Sequence, residues 1–231
     1  MKTESFEHAI IMAAGRGMRM RPLTDRIPKA LAPVNESTLI GGRIESLRSS
    51  FKNVYITVGY KGSMLASYVI EKEVSSVFNT EGKGNSWWVF NTLISSIDGP
   101  VLVLTCDNVA SIDFTELFND YQNKGSPPCM VVPVEPIKGL EGDYIFEKDG
   151  VVKELSREKK SNYYCSGIQI LNPKRINDSI SICNDFSEVW SKLIKIDGLY
   201  SSSVIPESWY AVDDLTQLNH LNNKSRKRVK R

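Results

Sequence analysis

The order of elements along the chain predicts an α/β fold. It would have a mostly parallel mixed sheet flanked by helices and a smaller β-rich lobe in the second half. Three observations carry that expectation. Short apolar runs alternate with helical patterns through the first 125 residues, the rhythm of a parallel sheet with crossover helices. The first run, Ala9-Ile10-Ile11-Met12-Ala13-Ala14, breaks into a loop with two glycines, Gly15 and Gly17, and several arginines. From residue 126 onward short strands dominate, and Asp149-Gly150 marks a hairpin turn between two of them.

Taken in order, residues 9–14 read as a buried strand because the run is apolar without alternation. Leu39, Ile40, Ile44, Leu47 and Phe51 recur at helical spacing, which predicts a helix over 38–51 with Ser37 or Thr38 as its N-cap. Asn53 to Gly59 reads as a second buried strand, Met64 to Val74 as a helix and Ser75 to Asn79 as a short strand. A Gly-Lys-Gly turn at 82–84 precedes a predicted helix from Ser86 to Ile97. Pro100 to Asp107 is the strongest strand pattern and ends on a carboxylate, and Asp113 is placed to cap a helix reaching Tyr121. In the second half, strands are predicted at 130–134, 144–146, 151–155, 163–171 and 209–212, and helices at 186–196 and 214–221. Crossovers between parallel strands should be right-handed, and ligands on such sheets lie beyond the carboxyl ends of the strands. The glycine loop and Asp107 both fall at such ends.

Composition narrows the function classes. The 231 residues suffice for a large core, and no run of 18 apolar residues exists, so no transmembrane helix is expected. The first residues lack a basic stretch followed by a long apolar one, so a signal peptide is not expected and the cytoplasm is the default location. Cys106, Cys129, Cys165 and Cys183 are too scattered for a zinc site, and two histidines are too few for histidine-based catalysis. The net charge of +2 hides an uneven balance. Six of the last eight residues are basic, leaving 23 basic against 27 acidic side chains in the rest. The body is therefore not expected to be a generic nucleic-acid binder, and the tail 224–231 is expected to be solvated and frayed.

The loop itself points to phosphate. Glycines let the backbone turn tightly and approach a ligand, and successive N–H groups form a concavity for an anion. Arg16, Arg19, Arg21, Arg26 and Lys29 add positive charge. Neither the dinucleotide fingerprint nor the P-loop fits, because Met20 stands where a third glycine would be and no Gly-Lys-Ser/Thr follows. The whole stretch, Ala13-Ala14-Gly15-Arg16-Gly17-Met18-Arg19, Pro22-Leu23-Thr24 and Pro28-Lys29-Ala30-Leu31, resembles the sugar-phosphate nucleotidyltransferase family. Met18 departs from the family pattern, which usually has Thr there.

That resemblance implies a single Rossmann-like domain over 1–231, with a nucleotide-binding half at 1–125 and an acceptor-binding half at 126–223. It implies transfer of NMP from a nucleoside triphosphate to a small phosphorylated acceptor in surface polysaccharide biosynthesis, with Mg²⁺ as cofactor. Arg19 and Lys29 would be the catalytic cations, and Asp107 and Asp213 the metal ligands. Asp214 is an alternative ligand or the N-cap of the final helix. Ala13, Ala14, Gly15, Gly17, Asn79 and Asn85 would bind the nucleotide, and Lys159, Gly142 and Gly167 the acceptor. Lys160 replaces the family's proline after Lys159, which leaves the register open by one residue. Gly84-Asn85-Ser86-Trp87-Trp88 departs from the sugar branch, and its Asn85 is similar to one in the phospho-alcohol cytidylyltransferase branch. A sugar 1-phosphate and a phospho-alcohol such as phosphocholine both stay open as acceptor. A nucleotide-binding regulatory protein without turnover is the alternative from another class. The expected assembly is a monomer or a homodimer, with no nucleic-acid or membrane partner.

Overall fold

The computed structural model describes residues 7–229, with side chains described through Asn223 in the last helix. The chain opens with β1 (His8–Met12). After the glycine loop come α1 (Leu23–Arg26), the two-residue strands β2 (Pro33–Val34) and β3 (Ser37–Thr38), and α2 (Leu39–Arg48). Then follow β4 (Asn53–Val58), α3 (Gly62–Ile70), β5 (Ser76–Asn79), α4 (Trp87–Asn91) and β6 (Val101–Thr105). β7 (Asn108–Ser111), α5 (Phe114–Asn123) and β8 (Cys129–Val134) lead into the second half. There lie β9 (Tyr144–Lys148), β10 (Val151–Ser156), β11 (Tyr164–Leu171), α6 (Pro173–Ser179) and α7 (Phe186–Ile194). β12 (Leu199–Ser201), β13 (Ser208–Ala211) and α8 (Leu215–Val229) complete the chain.

Nine strands form one mixed sheet in the order β5-β4-β1-β6-β11-β8-β12-β10-β9. The first four are mutually parallel, and β11 then runs antiparallel to both β6 and β8. The strand runs are unbroken in hydrophobicity because both faces are covered. Ala9 and Ile11, with Leu102 and Leu104, point to one side and pack with α2, α3 and α5. Ile10, Val101 and Val103 point to the other and pack with α4, α6 and α7. A third, smaller cluster joins Met20, Leu39, Val212 and Leu218, clamping the start of α8 to the glycine-loop region.

Of the two N-cap candidates for α2 the structure uses Thr38, as expected, its hydroxyl accepting from the Gly41 N–H at 2.9 Å. Several elements differ from the sequence expectation. The helix expected at 64–74 starts two residues earlier and ends at Ile70. The helix expected at 86–97 stops at Asn91: Thr92 turns extended, its hydroxyl donates back to the Trp88 carbonyl, and a short 3₁₀ turn follows at Leu93–Ser96. β7, β12 and α6 are absent from the sequence reading. The first two are three or four residues long, too short for periodicity to register. α6 did carry a signal, Asn172-Pro173, with Asn172 capping the Arg175 N–H and proline in the first turn. The tail expected to fray from residue 224 instead continues α8 as far as Val229. Leucines 215, 218 and 221 dock its first turns, and Lys and Arg beyond them are good helix formers. The tail's side chains lie outside the described residues.

Candidate functional site

The carboxyl ends of β1, β4, β5 and β6 open onto a cleft of about 760 Å³. Ala14, Gly15, Gly17, Arg19, Lys29, Asn85, Asp107 and Asp213 all line it, so eight of the residues singled out in the sequence converge there. The N–H groups of Gly15, Arg16 and Gly17 make no hydrogen bond to described residues, which leaves them free for an anion.

Lys29 sits at the centre. It begins a 3₁₀ turn behind Pro28 and is only 8% exposed. Gly17 has a positive φ of 61°, and a Cβ there would stand 2.8 Å from the Lys29 Cβ, so glycine is required for the lysine stem to pass. The Lys29 ammonium donates to Asp107 Oδ2 at 2.6 Å and to Asp213 Oδ1 at 3.0 Å. Arg19 Nη2 lies 3.2 Å from the same Asp213 oxygen. Burial disfavours the charge on Lys29, but the two carboxylates outweigh it and hold its pKa above the ordinary lysine value.

A two-stranded ribbon brings these carboxylates together. β7 starts directly after Asp107, β13 ends two residues before Asp213, and the two strands pair antiparallel with Asn108 opposite Ala211. The Val212 N–H continues the ladder to the Asp107 carbonyl at 3.0 Å. Arg43, buried on α2, donates to the Asn108 and Ala110 carbonyls and fixes β7 from below. Gln217 distinguishes the two adjacent aspartates: its Oε1 accepts from the Asp213 N–H at 2.5 Å, and its own N–H donates to Asp214 Oδ1 at 2.8 Å. Asp214 thus caps α8, and the Asp213 side chain is left for the cleft. Among the described residues no group of three or more His, Cys, Asp or Glu side chains is arranged for a metal ion. The Asp107–Asp213 pair meets the lesser need of Mg²⁺, one or two protein carboxylates with phosphate and water oxygens completing the shell. Cys106, between β6 and Asp107, is fully desolvated; burial pushes its thiol up to about 12, so it stays protonated and inert at neutral pH.

Other residues singled out in the sequence lie elsewhere. Ala13 is buried, with its N–H held by the Thr57 carbonyl and hydroxyl, both at 3.2 Å. Asn79 turns its Oδ1 to the Glu81 N–H at 3.0 Å. Asn85 lines the far wall of the cleft, but its Oδ1 accepts from the Phe186 N–H at 2.7 Å and ties that wall to α7. Lys159 is exposed and paired with Glu154 at 2.7 Å. Gly142 packs on the Tyr164 ring, where a Cβ would approach to 2.6 Å. Gly167, at φ 79°, faces Asn108 and Thr105 from behind the end of β6. Around these glycines Tyr164 makes edge-on contacts with Tyr144 and Trp209 at centroid distances of 5.8 and 5.6 Å. The sequence reading missed Thr57, Tyr60, Thr80, Glu81 and Lys83, which line the cleft. Their signal was positional: each follows or ends β4 or β5, the strands beside the glycine loop.

The comparisons with known proteins agree with this architecture. A family model described as Nucleotidyl transferase matches residues 8–188. A putative mannose-1-phosphate guanyltransferase from Sulfolobus acidocaldarius is 24% identical over 221 residues, 89% of this chain and 62% of that protein. The mannose-1-phosphate guanylyltransferase catalytic subunit beta from Drosophila pseudoobscura pseudoobscura is 26% identical over 177 residues, 71% of this chain and 48% of that protein. The chain thus spans about half to three fifths of the length of these relatives. Among solved structures, the CTP:phosphocholine cytidylyltransferase from Streptococcus pneumoniae superimposes with a TM-score of 0.74 at 24% identity, covering 94% of this chain and 98% of that one. A putative glucose-1-phosphate thymidylyltransferase from Bacillus anthracis gives a TM-score of 0.77 at 17% identity, covering 95% of each chain. The structural likenesses establish the shared fold, no helix among the described residues is long and apolar enough to cross a membrane, and the match of the family model over most of the chain gives the assignment: this chain belongs to the nucleotidyl transferase family.

Proposed function

We propose that the protein transfers a nucleoside monophosphate from a nucleoside triphosphate to a small phosphorylated acceptor, a sugar 1-phosphate in the favoured form. The product would be an activated precursor for polysaccharide assembly, with pyrophosphate released. The observation that carries this reading is the Lys29 ammonium held between Asp107 and Asp213, with Arg19 alongside, at the edge of a glycine loop with free N–H groups.

In this reaction an acceptor phosphate oxygen attacks the α-phosphorus, and the bond from that phosphorus to the bridging oxygen of the β-phosphate breaks. The difficulty is electrostatic, since two unit negative charges 4 Å apart repel by about 4 kcal/mol at an effective dielectric of 20. Arg19 suits the leaving pyrophosphate, because a guanidinium can bind two phosphate oxygens at once. Lys29, a compact charge at the cleft floor, neutralises the reacting phosphates as they approach. Asp107 and Asp213 fit a divalent cation, because both already face one point occupied by an ammonium. Such an ion, when bound, would neutralise phosphate oxygens at the reacting centre. The Gly15–Gly17 backbone receives the remaining phosphate charge.

The second reading keeps the reaction and changes the acceptor to a phospho-alcohol such as phosphocholine. The fold shared with a CTP:phosphocholine cytidylyltransferase supports it, whereas the packed rings of Tyr144, Tyr164 and Trp209 are not among the residues that line the cleft. The relatives' names support both readings, guanylyltransferase on one side and phosphocholine cytidylyltransferase on the other. A matrix of nucleoside triphosphates against sugar 1-phosphates and phospho-alcohols, with Mg²⁺ and coupled pyrophosphate detection, tests them. Pyrophosphate release is expected with at least one pair; none from any pair would leave the regulatory, non-catalytic reading.

A further inference from the structure

The structure assigns the choice of nucleobase to Glu81, and its chemistry selects guanine. The inference rests on the reading of the cleft as a nucleoside triphosphate site.

The strand order fixes which end of the cleft holds which part of the nucleotide. β6 carries Asp107 at its end, and β1 carries the glycine loop beside it. β4 and β5 lie on the other side of β1, so β5 is three strands from β6. At about 4.8 Å per strand the end of β5 is roughly 14 Å from that of β6. With its phosphates on Arg19, Lys29 and the loop, a nucleotide laid across the strand ends puts its base over the ends of β4 and β5. Tyr60, Thr80 and Glu81 line the cleft there.

Glu81 is held in place by its backbone. The Lys83 N–H donates to the Thr80 carbonyl at 3.0 Å, and Gly82 has a positive φ of 73° at the third position, the pattern of a type II turn. The Glu81 N–H is itself pinned to Asn79 Oδ1. Thr80, at the base of the turn, is buried and donates its hydroxyl to the Val58 carbonyl at 3.3 Å. Yet the Glu81 carboxylate makes no hydrogen bond or ion pair with any described residue. An unpaired carboxylate opposes the binding of a polyanion unless it faces the part of the ligand that donates hydrogen bonds.

The bases differ sharply as partners for it. Guanine presents a ring N–H and an exocyclic amino group side by side, two donors that match two carboxylate oxygens. Cytosine and adenine present one amino group next to an unprotonated ring nitrogen, which repels the second oxygen. Uracil and thymine present one ring N–H flanked by two carbonyls. Paired contacts to a charged acceptor are the stronger and more selective kind. Asn79 therefore acts as a positioning residue that fixes Glu81.

The test measures binding of GTP, ITP, CTP, UTP and dTTP by titration calorimetry, with Mg²⁺ and no acceptor, to the wild type and to Glu81→Gln. ITP lacks only the exocyclic amino group. The wild type is expected to prefer GTP to ITP, and GTP to the pyrimidine nucleotides, by tenfold or more. Glu81→Gln should bring the GTP-to-ITP ratio near unity while leaving Tm unchanged, because the side chain is exposed. An unchanged ratio in the variant, or pyrimidine nucleotides binding the wild type as tightly as GTP, would overturn the assignment while the nucleotidyltransferase reading stands. Failure of every nucleotide to bind would overturn both.

Discussion

Lys29 and Asp107 show how single side chains set this cleft. Asp107→Asn keeps the size and one acceptor oxygen but removes the charge, and Lys29 retains Asp213. The expected result is a loss of pyrophosphate release by roughly 10²–10³-fold, the usual scale for removing one electrostatic stabiliser, with a Tm near that of the wild type. Wild-type turnover in that variant would remove Asp107 from the catalytic set. Lys29 gives a prediction with a defined sign. Its pKa in the folded protein is raised above the unfolded value, so its contribution to stability is complete below about pH 10.4 and is lost as pH climbs through the folded-state pKa. The Tm of the wild type should therefore fall towards that of Lys29→Met above that pH; a constant difference up to strongly alkaline pH would contradict the two-carboxylate pairing. At this scale the sequence was most legible where a motif spans many positions, as from Ala13 to Leu31. It was least legible where the choice depends on one hydrogen bond. Asp213 and Asp214 are neighbours, and only the contact with Gln217 separates the cleft-lining residue from the cap. Glu81 gave no signal because its role follows from a turn that only the fold puts at the cleft.

The β7–β13 ribbon is the element on which the paired carboxylates depend, and Arg43 is its fastening. Arg43→Met keeps the buried stem but strips two backbone carbonyls of their donor. Each lost partner costs about 1–3 kcal/mol in a buried setting. The expected outcome is a lower denaturant midpoint together with a loss of activity that excess substrate does not restore. Unchanged activity in a destabilised protein would mean that the ribbon holds its register without Arg43. Asp113→Ala tests a different kind of joint, since Asp113 caps α5 through the Thr115 and Glu116 N–H groups at 2.8 and 3.0 Å. It should cost about 1 kcal/mol by denaturant titration and leave turnover alone. β1 and β6 were legible in the sequence because both faces are buried and the runs are long. β7 was not, because four residues at the rim alternate too briefly to stand out from a loop.

Across the whole molecule, the parallel half and the mixed half of the sheet are joined at the β6–β11 pair, and both contribute to the cleft. The first half supplies the loop, Lys29 and Asp107; the second supplies Asp213 and, through the Asn85–Phe186 contact, the far wall. The division into a nucleotide half and an acceptor half belongs to the proposed reaction, and Lys159 lies outside the cleft lining. Deleting residues 224–231 should leave pyrophosphate release within about twofold of the full chain, a change worth less than RT; a larger loss would give the tail a role in turnover.

The ribbon also sets a clock on synthesis. A ribosome completes the glycine loop, Lys29 and Asp107 early, but β7 has no partner strand until residues 208–211 emerge and fold back onto it. Pairing at such long range is slow compared with local structure. During that interval the nascent chain holds Lys29 and Asp107 without Asp213, so the shared contact of the ammonium with both carboxylates is the last part of the cleft floor to form.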